Sequence, residues 1–180
     1  LVGGLISYLS DNNLLSPEET LTIYLNTLKS MNTEQMGDYL GIESLLNTSD
    51  SDKNSIASAL VEQVHQNFDF KITSCEEQGY TATISTEITT FDSSAILNTF
   101  SEEQDAYLSS ANAVIDGSEK RYLKTLEMLL NDIENNTATI TSTADFHLTN
   151  DGVSWKLDDS NTTIGNAIFG TLSNSPVSEE

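Results

Sequence analysis

The sequence predicts an α+β fold in which amphipathic helices cover one face of an antiparallel sheet. Three observations carry that prediction. Apolar residues recur every four positions in 55–68, at Ile56, Leu60, Val64 and Phe68. Strict alternation replaces that period in 70–89 and again, more clearly, in 138–157. Between the two alternating tracts, helical spacing returns from Ser93 to about Asn135. A chain of 180 residues suits one compact domain.

Taken in order, residues 1–15 are a lead-in that ends at the polar break Asn12–Ser16. Ser16-Pro17-Glu18-Glu19 is a helix start: Ser16 caps, Pro17 fills the first turn, and Glu19 stands where a capping box needs it. That helix runs to about Ser30, with Leu21, Tyr24, Leu25 and Leu28 as its apolar stripe. A second short helix is expected over Thr33–Leu40, ended by Gly41, and Asn47–Ser55 reads as a polar loop. After the helix of Ser55–Phe68, Phe70 and Ile72 and then Tyr80, Ala82, Ile84 and Ile88 mark two strands joined around Glu77-Gln78-Gly79. Ile96, Leu97 and Phe100 form one helical patch and Tyr107, Leu108, Ala111, Val114 and Ile115 a second. Asp116-Gly117-Ser118 breaks the run, and a further helix over Glu119–Asn135 turns Tyr122, Leu126, Leu129, Leu130 and Ile133 inward. In the next strand Ala138, Ile140, Ser142, Ala144, Phe146 and Leu148 share one face. Asn150-Asp151-Gly152 is a hairpin turn, and Val153, Trp155 and Leu157 continue the pattern. Thr162–Phe169 closes the domain with one or two helical turns, and 171–180 reads as a frayed tail.

The composition excludes several classes of function. Acidic side chains number 28 against 7 basic ones, for a formal charge of −21. No basic surface exists to neutralise phosphates, so nucleic-acid binding and plain adsorption to an anionic bilayer are disfavoured. Serine, threonine and asparagine supply 60 of the 180 residues. Cys75 is the only cysteine, so no disulfide forms within one chain. No run of eighteen apolar residues exists, so no membrane span is predicted. The hydroxyl- and amide-rich, lysine-poor composition leans toward an exported protein.

No catalytic or metal motif emerges. His65 and His147 lack the paired spacing of a zinc site, and Cys75 lies beside Glu76 and Glu77, whose charge opposes thiolate formation. Asp50, Asp52 and Asn54 occupy positions 1, 3 and 5 of a calcium-type loop. Ser55 stands where glycine is needed and Val61 where glutamate is, so an EF-hand is rejected and only a weak cation loop remains. Asp38, Glu43, Asp69, Glu87 and Asp145 lie near element boundaries or faces, but none falls at an inward strand position. A register slip of one residue would bring Glu87 and Asp145 inside. No metal and no cofactor is predicted. Trp155 alternates with Val153 and Leu157 and is read as a core residue. Tyr80, Ile84, Ser142, Phe146 and Trp155 are together the candidates for a pocket lining or its apolar filling.

The strings Ser16-Pro17-Glu18-Glu19-Thr20, Tyr24-Leu25 and Leu28-Lys29 resemble the opening helix of small bacterial lipoprotein domains of the NTF2-like superfamily, including lumazine-binding-like members. Asp151 to Asp158 and Ala167-Ile168-Phe169-Gly170 resemble their closing strand and tail, and Ala82-Thr83-Ile84 their hairpin. The resemblance spans residues 16–170. It implies a cystatin-like cone: a curved antiparallel sheet wrapped by N-terminal helices, open at one end. The helical insertion at about 93–135 is expected to lid the cone, plug it or build a partner surface. The resemblance further implies an extracytoplasmic location and a lipid anchor upstream of Leu1. The function expected is a non-catalytic binding module for an unknown small ligand or protein. The alternatives are an isomerase or dehydratase using a polar cone pocket, and a structural domain of the cell envelope.

Overall fold

The computed structural model describes residues 15–32, 34–36, 51–158 and 160–169. The elements run α1 (Pro17–Ser30), α2 (Ser51–Asn67), β1 (Asp69–Gln78), β2 (Thr81–Phe91), α3 (Ser93–Leu108), α4 (Ala111–Glu134), β3 (Thr139–Asn150), β4 (Trp155–Asp158) and α5 (Ser160–Phe169). The four strands form one antiparallel sheet in the order β1-β2-β3-β4. The fold is therefore α+β, with an open, curved sheet flanked by helices, as the alternating tracts predict.

Local chemistry sets the helix starts. The Ser16 hydroxyl accepts from the Glu19 amide at 3.1 Å, with Pro17 in the first turn, as predicted. Asp92 caps α3 by accepting from the Ser94 and Ala95 amides, and Ser110 caps α4 by accepting from Ala113. Of the short helix expected over 33–40, the described part is one turn at 34–36, introduced by reciprocal bonds between Asn32 and Gln35. α2 begins at Ser51, four residues earlier than the apolar period suggests.

The inner face of the sheet holds Ala82, Ile84, Thr86, Ile88 and Thr90 of β2 opposite Leu148, Phe146, Ala144, Ser142 and Ile140 of β3. Leu21, Tyr24, Leu25 and Leu28 from α1, Val61 and Val64 from α2, and Ile164, Ile168 and Phe169 from α5 complete the core. Each such side chain, taken fully out of water, contributes about 1.5–3 kcal/mol. Phe91 and Phe169 meet at 6.1 Å between ring centres, which fixes α5 across the sheet.

Three strand details depart from strict alternation. A bulge between Ile72 and Ser74 shifts the register of β1, so Phe70 and Ile72 face inward before it and Cys75 after it. Cys75 thus lies in a strand opposite Ile84, not in a turn. β4 has four residues and pairs only with His147–Asn150. α5 then takes over from the strand, and Ile140 at the far end of β3 stays 46% exposed. Tyr80, which the alternation places with Ala82 and Ile84 on the apolar face, sits in the β1–β2 turn beside Gly79, 69% exposed. Val153 is likewise exposed, in the turn built on Gly152.

Candidate functional site

Of the five candidate lining residues, Ile84 and Phe146 are cross-strand partners with no exposed surface, and Trp155 is buried at the end of the same layer. Ser142 shares their face but is exposed, although its partner Ile88 is buried. Tyr80 lies outside the layer altogether. The structure brings three of the five together as packed core.

The opposite face of the sheet is polar. The Ser85 hydroxyl donates to Asp145 at 2.7 Å, Thr149 donates to Asp158 at 2.6 Å, and Thr83 lies 3.2 Å from His147 Nδ1. Glu87 is exposed on this face, and Asp69 is exposed and paired with Lys29. Asp38 and Glu43 lie outside the described residues, as does Asp50. Residues 51–54 form the first turn of α2, so Asp52 and Asn54 belong to a helix and not to a cation loop. Among the described residues, no three His, Cys, Asp or Glu side chains converge as a metal site. Cys75 is held toward its thiol form by burial first and then by Glu18 and Glu77. A groove of about 630 Å³ runs along α2 to the end of α4, lined by Ser51, Asn54, Ser58, Glu62, Gln66 and Glu134 among others.

The distinctive feature is the α3–α4 hairpin that occupies the predicted insertion. The chain turns at Ser109-Ser110, where the sequence suggests continuous helix. Asp116–Ser118, read as a break, is instead a kink inside α4 at Gly117 (φ 77°, ψ 170°). Glycine is required there, since other residues rarely adopt that backbone. Around the kink the Tyr107 hydroxyl donates to Asp116 at 2.5 Å and Lys124 donates to the same carboxylate at 2.6 Å. Lys120 approaches it at 3.5 Å. Lys124 also lies over the Tyr107 ring, 5.3 Å from its centre, and Arg121 donates to the Ala113 carbonyl at 2.6 Å. These partners hold the Asp116 carboxyl down at about 2, Lys124 contributing most and Tyr107 next.

On either side of the turn the two helices carry bare aliphatic groups. Val114 is 78% exposed and Ile115 79%, and Leu108 and Leu123 are about half exposed. The spacing that groups Tyr107, Leu108, Ala111, Val114 and Ile115 in one helical patch fails because the turn at Ser109-Ser110 separates them onto two helices. α3 packs chiefly on α4, and α4 on α3 and α2. Deeper in the hairpin, Asp132 is buried with Oδ2 unpartnered. Its carboxyl is pushed up by burial first and then by the neighbouring Glu103. Neither Asp116 nor Asp132 stands out in the sequence. The usable signals are Asp116 at four and eight residues before Lys120 and Lys124, and Asp132 three after the inward Leu129.

No known family profile matches the chain, and none of the curated proteins does. The crystal structure of a putative lipoprotein (ycdA) from Bacillus subtilis superposes with a TM-score of 0.49 at 14% identity, over 93% of this chain and 55% of the other. The chain therefore spans about half the length of that protein. No described helix is long and apolar enough to cross a membrane.

Proposed function

We propose that this chain is a non-catalytic, extracytoplasmic binding module that docks a macromolecular partner through the α3–α4 hairpin. The observation that carries the reading is the pair Val114 and Ile115, about four-fifths exposed on the opening segment of α4, next to Asp116, which Tyr107 and Lys124 both bond. Exposed aliphatic groups on a rigid support favour a partner over solvent, because ordering costs are met before binding. The packed Ile84–Phe146–Trp155 layer favours such docking over a small ligand between sheet and helices. The extracytoplasmic placement rests on the resemblance to NTF2-like lipoprotein domains and on the hydroxyl- and amide-rich composition.

A second reading draws on the polar groove along α2. Its serine, asparagine, glutamine and glutamate lining suits a neutral polyol or a cationic small molecule. One experiment separates the two. A photo-crosslinking amino acid is placed at position 115, and a second variant carries it at position 58 in the groove. Adducts of high mass in native cells are expected from position 115 and not from position 58. No adduct at 115, together with ligand-induced NMR shifts confined to Ser51–Gln66, would overturn the docking reading in favour of the groove.

A further inference from the structure

β1 is the open edge of the sheet. Among the described residues no strand pairs with its outer side, and none of its amides or carbonyls bonds to backbone other than that of β2. The apolar layer also runs off this edge. The inward residues of β2 from Ala82 to Thr90 are buried, whereas Phe70, Ile72 and Cys75 of β1 are only partly so.

A lysine and a bulge ordinarily keep an edge strand single. In β1 they are placed so that one partner is still admitted, and the bulge decides which. Before it the even-numbered Phe70 and Ile72 face inward; after it the odd-numbered Cys75 and Glu77 do. A second copy of β1, laid antiparallel across a two-fold axis, matches inner face to inner face only where an even residue meets an odd one. The same alternation governs which amides and carbonyls point off the edge, so matched faces also bring donors to acceptors. The registers of this kind differ in what they oppose. One sets Asp69 against Glu76 of the second copy, acid against acid, and another sets Ile72 against Glu77. The register centred on Thr73-Ser74 leaves all ten residues of the strand paired. It brings Ile72 against Cys75 on the inner face and Lys71 against Glu76 on the outer face, each twice by symmetry. Lys71 stands opposite Glu87 of β2, yet among the described residues neither Lys71 nor Glu76 forms an ion pair.

We propose that β1 is a self-association edge, independent of the α3–α4 hairpin: two copies of this chain pair β1 to β1 about Thr73-Ser74, with Lys71 opposite Glu76 of the second copy, and continue one sheet through both. The occupant is a second copy because the strand's one base and the acid that answers it lie equally far from the strand's centre. Repulsion between two bodies of charge −21 keeps the association weak, so chain concentration selects between the single and paired forms.

The test is sedimentation equilibrium of the whole chain from micromolar to millimolar concentration, with deuterium uptake by β1 followed over the same range. The mass is expected to approach twice that of the single chain, and the β1 amides, which exchange early in the single chain, to slow in step. Lys71→Glu and Glu76→Lys should each weaken self-association by about tenfold or more, because each sets two like-charged pairs face to face. Mixed, the two variants should associate with each other more tightly than either does with itself, since every Lys71–Glu76 position across the contact then holds opposite charges. A chain that stays single at millimolar concentration overturns the proposal. So does a dimer whose β1 exchanges as fast as in the single chain, or one that the two variants leave unchanged both separately and mixed. If Lys71→Glu, which faces Glu87, fails to fold, β1 protection in the unsubstituted chain and self-association of Glu76→Lys decide.

Discussion

Two threonine hydroxyls on the inner face of β2 illustrate what single residues cost this fold. Thr86 and Thr90 are buried, and neither Oγ1 has a hydrogen-bond partner. Thr86→Val keeps the shape and removes an unpaired polar atom, so it should stabilise the domain by about 1 kcal/mol, read by urea unfolding. Asp132 is the charged counterpart. Its raised carboxyl pKa means that the folded state holds the proton more tightly than the unfolded chain does. Its contribution is therefore fully present below the ordinary carboxylate range and lost as pH rises through the raised value. Asp132→Asn should raise the melting temperature at neutral pH and change it little at pH 3. Equal effects at both values would contradict the burial argument. Residue-level burial was legible where a side chain follows its element's period, as at Phe146 and Trp155. It was not legible at Tyr80, whose place depends on where a turn ends.

At the scale of elements, Gly117 shows how a local conformation supports a larger surface. A Cβ there would meet nothing within 4 Å, so the cost of Gly117→Ala is purely that of the backbone at φ 77°. That cost is about 1–3 kcal/mol. The Tyr107–Asp116–Lys124 clamp should loosen with it, detectable as faster exchange of the Lys124 amine protons. The helices and both hairpins were readable because apolar periodicity, the Ser16 cap and the Gly79 and Gly152 turns mark them. The division of the insertion was not. Asp116-Gly117-Ser118 carries the stronger breaking signal, yet the helix resumes after one aberrant residue and the true turn lies at Ser109-Ser110. A contact eight residues distant, Lys124 to Asp116, holds the kinked segments together, and no local pattern encodes it. The β1 bulge is hidden for a similar reason: both parities place acceptable residues inward, and pairing with β2 decides between them.

For the whole molecule, a charge of −21 with several carboxylates tied into structure sets the response to acid. Asp116 and Asp151 are both held at about 2, Asp116 chiefly by Lys124 and Asp151 chiefly by the Ser154 and Val153 amides. Their folded-state pKa values lie below the unfolded one. The stability they contribute is present above pH 4 and lost as pH falls toward 2. Acidification from 7 to about 4 should at the same time relieve repulsion among the other carboxylates and Asp132. The melting temperature is expected to pass through a maximum on the mildly acidic side and to fall steeply below pH 3. A curve that declines steadily from pH 7 downward would count against this balance. Of the candidate site, the sequence supplied the packed layer and the existence of an insertion. It did not supply the exposure of Val114 and Ile115, which group with their neighbours as a single helical patch until the turn position is known.

Strand order has a kinetic consequence. β2 is paired on both sides from Thr81 to Thr89, whereas among the described residues β1 has no strand on its outer edge and β4 covers only four residues of β3. Deuterium should therefore enter β1 and the first half of β3 early, through fluctuations that leave the rest intact. The amides of Ala82 to Thr89 should exchange only through global opening, which makes the middle of β2 the last part of the chain to keep a memory of the folded state.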